Sequence, residues 1–101
     1  MKLYEGKRMG SVAQVTVDGR QLDPRLGLWN HSPSGFEWGY GGSGPAQLAL
    51  ALLADHLSND EEALGRYHLF KWQVVAMLPA WRWTLTSREI DEALQRIEVN
   101  A

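Results

Sequence analysis

No cysteine occurs among the 101 residues. Disulfides, thiolate nucleophiles and cysteine-based zinc sites are therefore excluded, and the chain fits a reducing, cytoplasmic compartment. Charge of one sign is missing too. Ten Lys and Arg stand against twelve Asp and Glu, a net charge of −2 with neutral His. That balance argues against a dominant electrostatic grip on nucleic acid and leaves only a local patch open. No apolar run approaches the ~20 residues that a membrane helix needs. The opening Met1-Lys2-Leu3-Tyr4-Glu5 carries neither the apolar run nor the cleavage pattern of an export signal. Internal repeats and low-complexity tracts are absent. The three His lack H-x3-H or H-E-x-x-H spacing, so neither a metal nor a cofactor is expected.

What the chain has in excess is tryptophan, five in all, and one dense stretch from Trp29 to Ala54. Ser32-Pro33-Ser34-Gly35 is turn chemistry: Pro33 presets φ and Gly35 suits a positive φ. Phe36, Trp38 and Tyr40 alternate with Glu37 and Gly39, a period of two that predicts a half-buried strand. Gly41-Gly42-Ser43-Gly44 breaks it. Pro45 then suits the first helical position, where its missing N–H costs nothing. Gly44 or Ser43 is the expected N-cap, with Gln47 reaching back in a loose capping box. From Ala46 to Leu57 almost every residue is Ala or Leu. A helix apolar on every side is expected to be enclosed, and at about 12 residues it is too short to cross a bilayer. It is the expected core helix.

The flanks read more simply. Leu3 to Arg8 is a first strand, Met9-Gly10-Ser11 a turn, and Val12 to Val17 a β-branched second strand. Asp18-Gly19 is a type I′ hairpin signal. Arg20 to Leu22 returns briefly before Pro24 stops it. After the core helix, Ser58-x-x-Glu61 reads as a capping box. The following helix is expected to run towards Leu78, with Gly65 as a kink point and Leu64, Tyr67, Phe70, Val74, Met77 and Leu78 facing the core. Trp81, Trp83 and Leu85 predict a late strand with both Trp on its core face. Thr86-x-x-Glu89 caps a last helix, Ser87 to Ile97, with an apolar stripe of Ile90, Leu94 and Ile97. The result is a single domain over residues 1–101, of class α+β. A small antiparallel sheet is packed on one face by about three helices, in the order β-β-β-α-α-β-α.

The run WNHSPSGFEWGYGGSGPAQLALALLADHL, from Trp29 to Leu57, resembles a family of small bacterial domains met in plasmid, phage and other mobile-element contexts. The segments YEGKR…VTVDG and YHLFKWQVVAMLP…W extend the resemblance over most of the chain. The resemblance implies no assigned activity and no catalytic residue.

Candidate sites cluster at the bend. Gly39-Tyr40-Gly41-Gly42-Ser43-Gly44 matches G-x-G-x-x-G, and Gly41, Gly42, Ser43 and Gly44 could hold an anion at a helix N-terminus. A dinucleotide site needs a βαβ unit, whereas here a helix follows the helix. A phosphate-loop Lys-Ser/Thr pair is absent. Ser43 sits like a nucleophile elbow, but Pro45 replaces the second glycine of G-x-S-x-G, so a capping role is favoured. His31 and Glu37 flank the turn and are the residues that could move a proton, with plain turn hydrogen bonding as the favoured reading. Trp81-Arg82-Trp83 and Lys71-Trp72 mix aromatic and basic residues as nucleobase-stacking sites do, although core packing is the favoured role. Trp29, Trp38 and Tyr40 are the candidate adhesive residues.

Two functions from different classes follow. The first is a non-catalytic protein-interaction module with an unknown partner, of which a homodimer is the simplest form. The mobile-element resemblance implies a partner among host or element-encoded machinery. The alternative is a small enzyme or ligand-binding protein whose glycine-rich bend holds an anionic group beside His31, Glu37, Tyr40 and Ser43.

Overall fold

The computed structural model describes residues 1–100, with side chains as far as Ile97. Strands β1 (Leu3–Met9), β2 (Val12–Val17) and β3 (Arg20–Gln21) form a meander. Helices α1 (Ser43–Leu57) and α2 (Asp60–Gln73) follow, then a 3-10 turn (Val75–Met77), β4 (Arg82–Thr86) and α3 (Ser87–Asn100). The four strands form one antiparallel sheet in the order β3-β2-β1-β4. The class and element order are those expected from the sequence.

Register explains the core face. Tyr4 pairs with Val17 on one side and Leu85 on the other, and Gly6 pairs with Val15 and Trp83. These residues point to the helical side, because strand side chains alternate with a period of two. Leu3, Glu5, Lys7 and Met9 point to solvent. A glycine is required at position 6, because the Trp83 indole lies across its Cα where a Cβ would sit. Trp83 in turn meets Trp38 edge-on, with ring centroids 5.6 Å apart at 87°. Asp18 and Gly19 both have positive φ, 49° and 83°, as a type I′ hairpin demands.

Helix α1 is the axis of the fold. Every residue from Gly44 to Ala54 is buried. Its Ala/Leu composition gives high helix propensity and needs no polar face. The sheet reaches it through the Tyr4 hydroxyl, which donates to Asp55 Oδ2 at 2.7 Å. Lys2 Nζ approaches the same oxygen at 3.1 Å. Helix α3 opens with a reciprocal box. Thr86 N–H donates to Glu89 Oε1 at 2.9 Å, and Glu89 N–H donates to Thr86 Oγ1 at 3.1 Å. Ile90, Ala93, Leu94 and Ile97 face inward from it.

Several local expectations are corrected. Phe36 to Tyr40 is not a strand but an irregular segment. Gly39, at φ 87°, donates its N–H to Val75 O at 3.1 Å instead of joining the sheet. The N-cap of α1 is Gly42, extended and without a side-chain bond, so Ser43 becomes the first helical residue. Gly41 and Gly42 do not take positive φ; Gly35 and Gly39 do. Asn59, not Ser58, caps α2, its side chain accepting from Glu62 N–H at 3.0 Å. Ser58 closes α1 in a left-handed conformation, φ 51°. Helix α2 runs unbroken through Gly65 but stops at Gln73. Of the expected stripe, Phe70 is buried and Tyr67, Val74 and Leu78 pack against the core, while Leu64 and Met77 lie exposed and Ala63 and Lys71 are buried instead. Trp81 falls before β4 and is 71 % exposed, so it does not share the buried face of Trp83.

Candidate functional site

Gln47 is a fully buried polar side chain on α1. It does not reach back to the cap. Its Oε1 accepts from the N–H groups of His31 and Ser32, at 2.7 and 3.0 Å. Its Nε2 donates to the carbonyls of Pro24 and Trp29, at 2.6 and 3.0 Å. A side-chain amide has two donors and two acceptor lone pairs, and all four are used. One residue on the core helix therefore pins the whole loop from Pro24 to Ser32 beside the glycine-rich bend.

That clamp sets the His31 ring. Trp29 stacks on it, with centroids 5.7 Å apart at 24°. Its Nε2 lies 2.8 Å from the Tyr67 hydroxyl of α2. Burial, together with the nearby Lys71 charge, lowers the His31 pKa below its ordinary value. The imidazole is consequently neutral at pH 7 and exchanges one hydrogen bond with Tyr67.

Lys71 follows Tyr67 by one helical turn and retains only 9 % exposure. Its stem is covered while its ammonium stays open to solvent. It sits over the Trp72 ring, 4.5 Å from the centroid, a cation–π contact. The far edge of that ring lies on Gly41, where a Cβ would overlap it. The Tyr40 ring covers Gly42, with Cε2 placed 2.8 Å from where a Cβ would stand. Bare backbone at positions 41 and 42 thus answers two aromatic neighbours and not a backbone conformation. Trp29, His31 and Tyr67 form one contact group, Lys71, Trp72 and Gly41 another, and the i, i+4 spacing of Tyr67 and Lys71 puts the two groups on one face of α2.

The sequence candidates divide on this map. His31 and Tyr40 belong to the site. Glu37 does not join His31: both its carboxylate oxygens accept from Arg8 Nη1, at 2.8 and 3.1 Å, and its stem lies against Gly44. Ser43 bonds to neither residue and is exposed at the mouth of α1. Trp29 and Tyr40 are 57 % and 52 % exposed, but Trp38 is buried and offers no surface. Its Nε1 donates to Ala80 O at 3.1 Å and Arg8 stacks over its ring. Sequence reasoning did not bring Gln47 or Tyr67 to this site, and it favoured core packing for Trp72, which is 50 % exposed. A polar residue inside an Ala/Leu run was the signal for Gln47. The i, i+4 spacing of Tyr67 and Lys71 put those two on one face.

The molecule is thus a small α+β domain with a cluster of aromatic and polar groups beside the N-terminus of a buried helix. By sequence the chain belongs to DUF6166, a family of unknown function, whose match covers residues 4–96. Comparison with curated proteins and with solved structures returned no match. None of the described helices is long and apolar enough to cross a membrane.

Proposed function

We propose that this domain is a non-catalytic protein-interaction module and that its working face surrounds the glycine-rich bend. The supporting observation is the trio Trp29, Tyr40 and Trp72. Each leaves half or more of its surface in water, and each packs beside the glycine-rich bend or the loop next to it. Large aromatic side chains favour interface cores, because they bury much area for little lost entropy. Rings held by a saturated Gln47 and by bare glycine backbone lose less freedom still on binding. The mobile-element resemblance would make the partner a host or element-encoded protein, and a second copy of this chain is the simplest case.

Against an enzyme stands the separation of His31, Glu37 and Ser43 onto different partners. The alternative of a ligand-binding protein has one observation in its favour, the unpaired Lys71.

Affinity capture from the source organism tests the main reading, with wild type run against a Trp29→Ser/Trp72→Ser double variant. A Val12→Ser variant, altered at an exposed position on β2, is the control. A partner, or a dimer by light scattering, that the double variant loses and the control keeps is the expected result. A monomeric mass with nothing recovered above background would remove the reading.

A further inference from the structure

We infer that β4 is a self-pairing edge: two copies of this chain join β4 to β4, antiparallel about a two-fold axis at Trp83, and make one eight-stranded sheet from two four-stranded ones. The residues involved are not those of the aromatic trio at the bend, and the pairing does not depend on that reading.

The sheet has two edges, and they are unlike. On one side β3 has only two residues and Asp23-Pro24 ends it, a common way to keep an edge from pairing. On the other side the five residues of β4 run with no strand beyond them. Flanking bonds fix which of their backbone groups point outward. Arg8 N–H donates to Trp81 O at 3.0 Å, and Ser87 N–H donates to Lys2 O at 2.9 Å. The odd-numbered residues therefore bond to β1. Backbone groups alternate sides along an antiparallel strand, so those of Arg82, Thr84 and Thr86 point away from the sheet. Glu89 takes the Thr86 N–H at 2.9 Å. Among the described residues, nothing takes the N–H and C=O groups of Arg82 and Thr84.

Donors and acceptors in that alternation suit another strand, and a second β4 uses all of them. With Trp83 opposite Trp83, Arg82 of each copy lies opposite Thr84 of the other. Each such pair exchanges two hydrogen bonds. The axis is clear of bulk, because the Trp83 indole leans inward across Gly6.

Two further features select a copy of this chain as the occupant. One is charge. Lys7 and Arg82 face each other across β1 and β4, an unfavourable pair of like sign. Among the described residues neither Arg82 nor Glu5 has an ion-pair partner. Glu5 lies beside Thr84. In the joined sheet Arg82 of one copy therefore has Thr84 of the other next to it and Glu5 one strand further on. Two strand spacings, about 10 Å, are within the combined reach of an Arg and a Glu across a small Thr. The other feature is Trp81, 71 % exposed in its own chain. The same register sets it opposite Leu85 of the second copy. Leu85, with Val74 and Ala93, lines a groove of about 300 Å³ whose rim carries Glu89 and Glu92. A ring without cover is thus brought to an open groove, twice, by one two-fold axis.

Sedimentation of the intact protein over a concentration series, with amide hydrogen exchange measured at the dilute and concentrated ends, tests the pairing. The expected result is a reversible dimer in which the Arg82 and Thr84 amides become protected at least tenfold. Thr84→Pro removes an outward N–H where an edge strand tolerates proline, and it should abolish the dimer. Trp81→Ser alters an exposed side chain, so the monomer should stay folded while the dimer weakens at least tenfold. Arg82→Glu should weaken the dimer too, and adding Glu5→Arg should restore it, a recovery that a merely structural role for either residue would not produce. A monomer at every concentration, a dimer whose Arg82 and Thr84 amides stay unprotected, or a dimer that both Thr84→Pro and Trp81→Ser leave intact would overturn the inference. So would a dimer lost in Trp29→Ser/Trp72→Ser and kept in Thr84→Pro, which would put self-association at the aromatic face.

Discussion

Replacing Gln47 with leucine isolates the device that holds the site together. The two side chains are close in volume and leucine favours a helix, so α1 and its packing survive. What disappears is four hydrogen bonds of 2.6 to 3.0 Å to the backbone of His31, Ser32, Pro24 and Trp29. At ~0.5–1.5 kcal/mol net for each bond, the loss sums to roughly 2–6 kcal/mol. The loop can open to water and recover part of it, which puts the expected cost at about 2–4 kcal/mol. For a domain of this size, 1 kcal/mol moves the Tm by about 4–8 °C, so the midpoint should fall by roughly 10–30 °C. Urea unfolding followed by tryptophan fluorescence measures the cost. Far-ultraviolet circular dichroism checks that the helices remain. Gln47→Glu sharpens the test. It keeps the acceptors for His31 and Ser32, yet turns a carboxylate oxygen towards the Pro24 and Trp29 carbonyls. It should be worse than leucine at pH 7 and should recover as the carboxyl is protonated and regains a donor. A leucine variant within about 0.5 kcal/mol of wild type, the range of an ordinary surface change, would mean that the clamp carries no stability.

Four further expectations use other parts of the fold. Gly6→Ala should cost several kcal/mol, at or above the ~1–3 kcal/mol of ordinary overpacking, because the Trp83 ring it meets is buried. Gly41→Ala should leave the fold intact and push the half-exposed Trp72 ring outward, read as a red-shifted emission; equal thermal stability of the two variants would contradict both. Leu52→Ala should cost ~2–5 kcal/mol, since Leu52 is wholly enclosed, and a loss below about 1 kcal/mol would deny α1 its place in the core. The His31 ring should titrate below its ordinary 6.5, and Lys71→Met should move it part of the way back, because burial is the larger cause and remains. A group with a lowered His pKa favours folding above 6.5 and loses that contribution as pH falls; a His31 titration unmoved by Lys71→Met would separate the two groups. Burial raises the Asp55 pKa, but the Tyr4 hydrogen bond and Lys2 outweigh it and hold the carboxyl below 3.8. Its stabilisation is present above that value and is lost as pH falls through the depressed one. Asp55→Asn should therefore flatten the acid limb of a stability–pH curve, and an unchanged limb would refute the assignment.

Local signals were legible wherever the chain settles its own geometry. Asp18-Gly19 set the hairpin, the Ala/Leu run set α1, and Thr86 with Glu89 set the start of α3. These outcomes depend on φ/ψ preference, propensity and hydrogen bonds within a few residues. Binary patterning then gave the class, since each apolar face must find a cover. The Phe36 to Tyr40 alternation misled, because a period of two shows which side chains are buried but not whether a neighbouring strand is there to pair. The stripe on α2 held at Tyr67, Phe70, Val74 and Leu78 but failed at Leu64, because α1, by its position, decides which face of α2 is covered. Burial therefore falls on Ala63, Phe70 and the stem of Lys71, and Leu64 is left to water.

The sequence by itself determined the strands, the buried helix and the two-residue hairpin, since each follows from interactions within one or two turns of chain. Only the tertiary structure decided that Gln47 grips a loop fifteen or more residues away, that the stem of Lys71 is covered, and that Gly41 and Gly42 stand bare for Trp72 and Tyr40. Those relations depend on distances between segments, and one-dimensional periodicity carries no information about which segments meet.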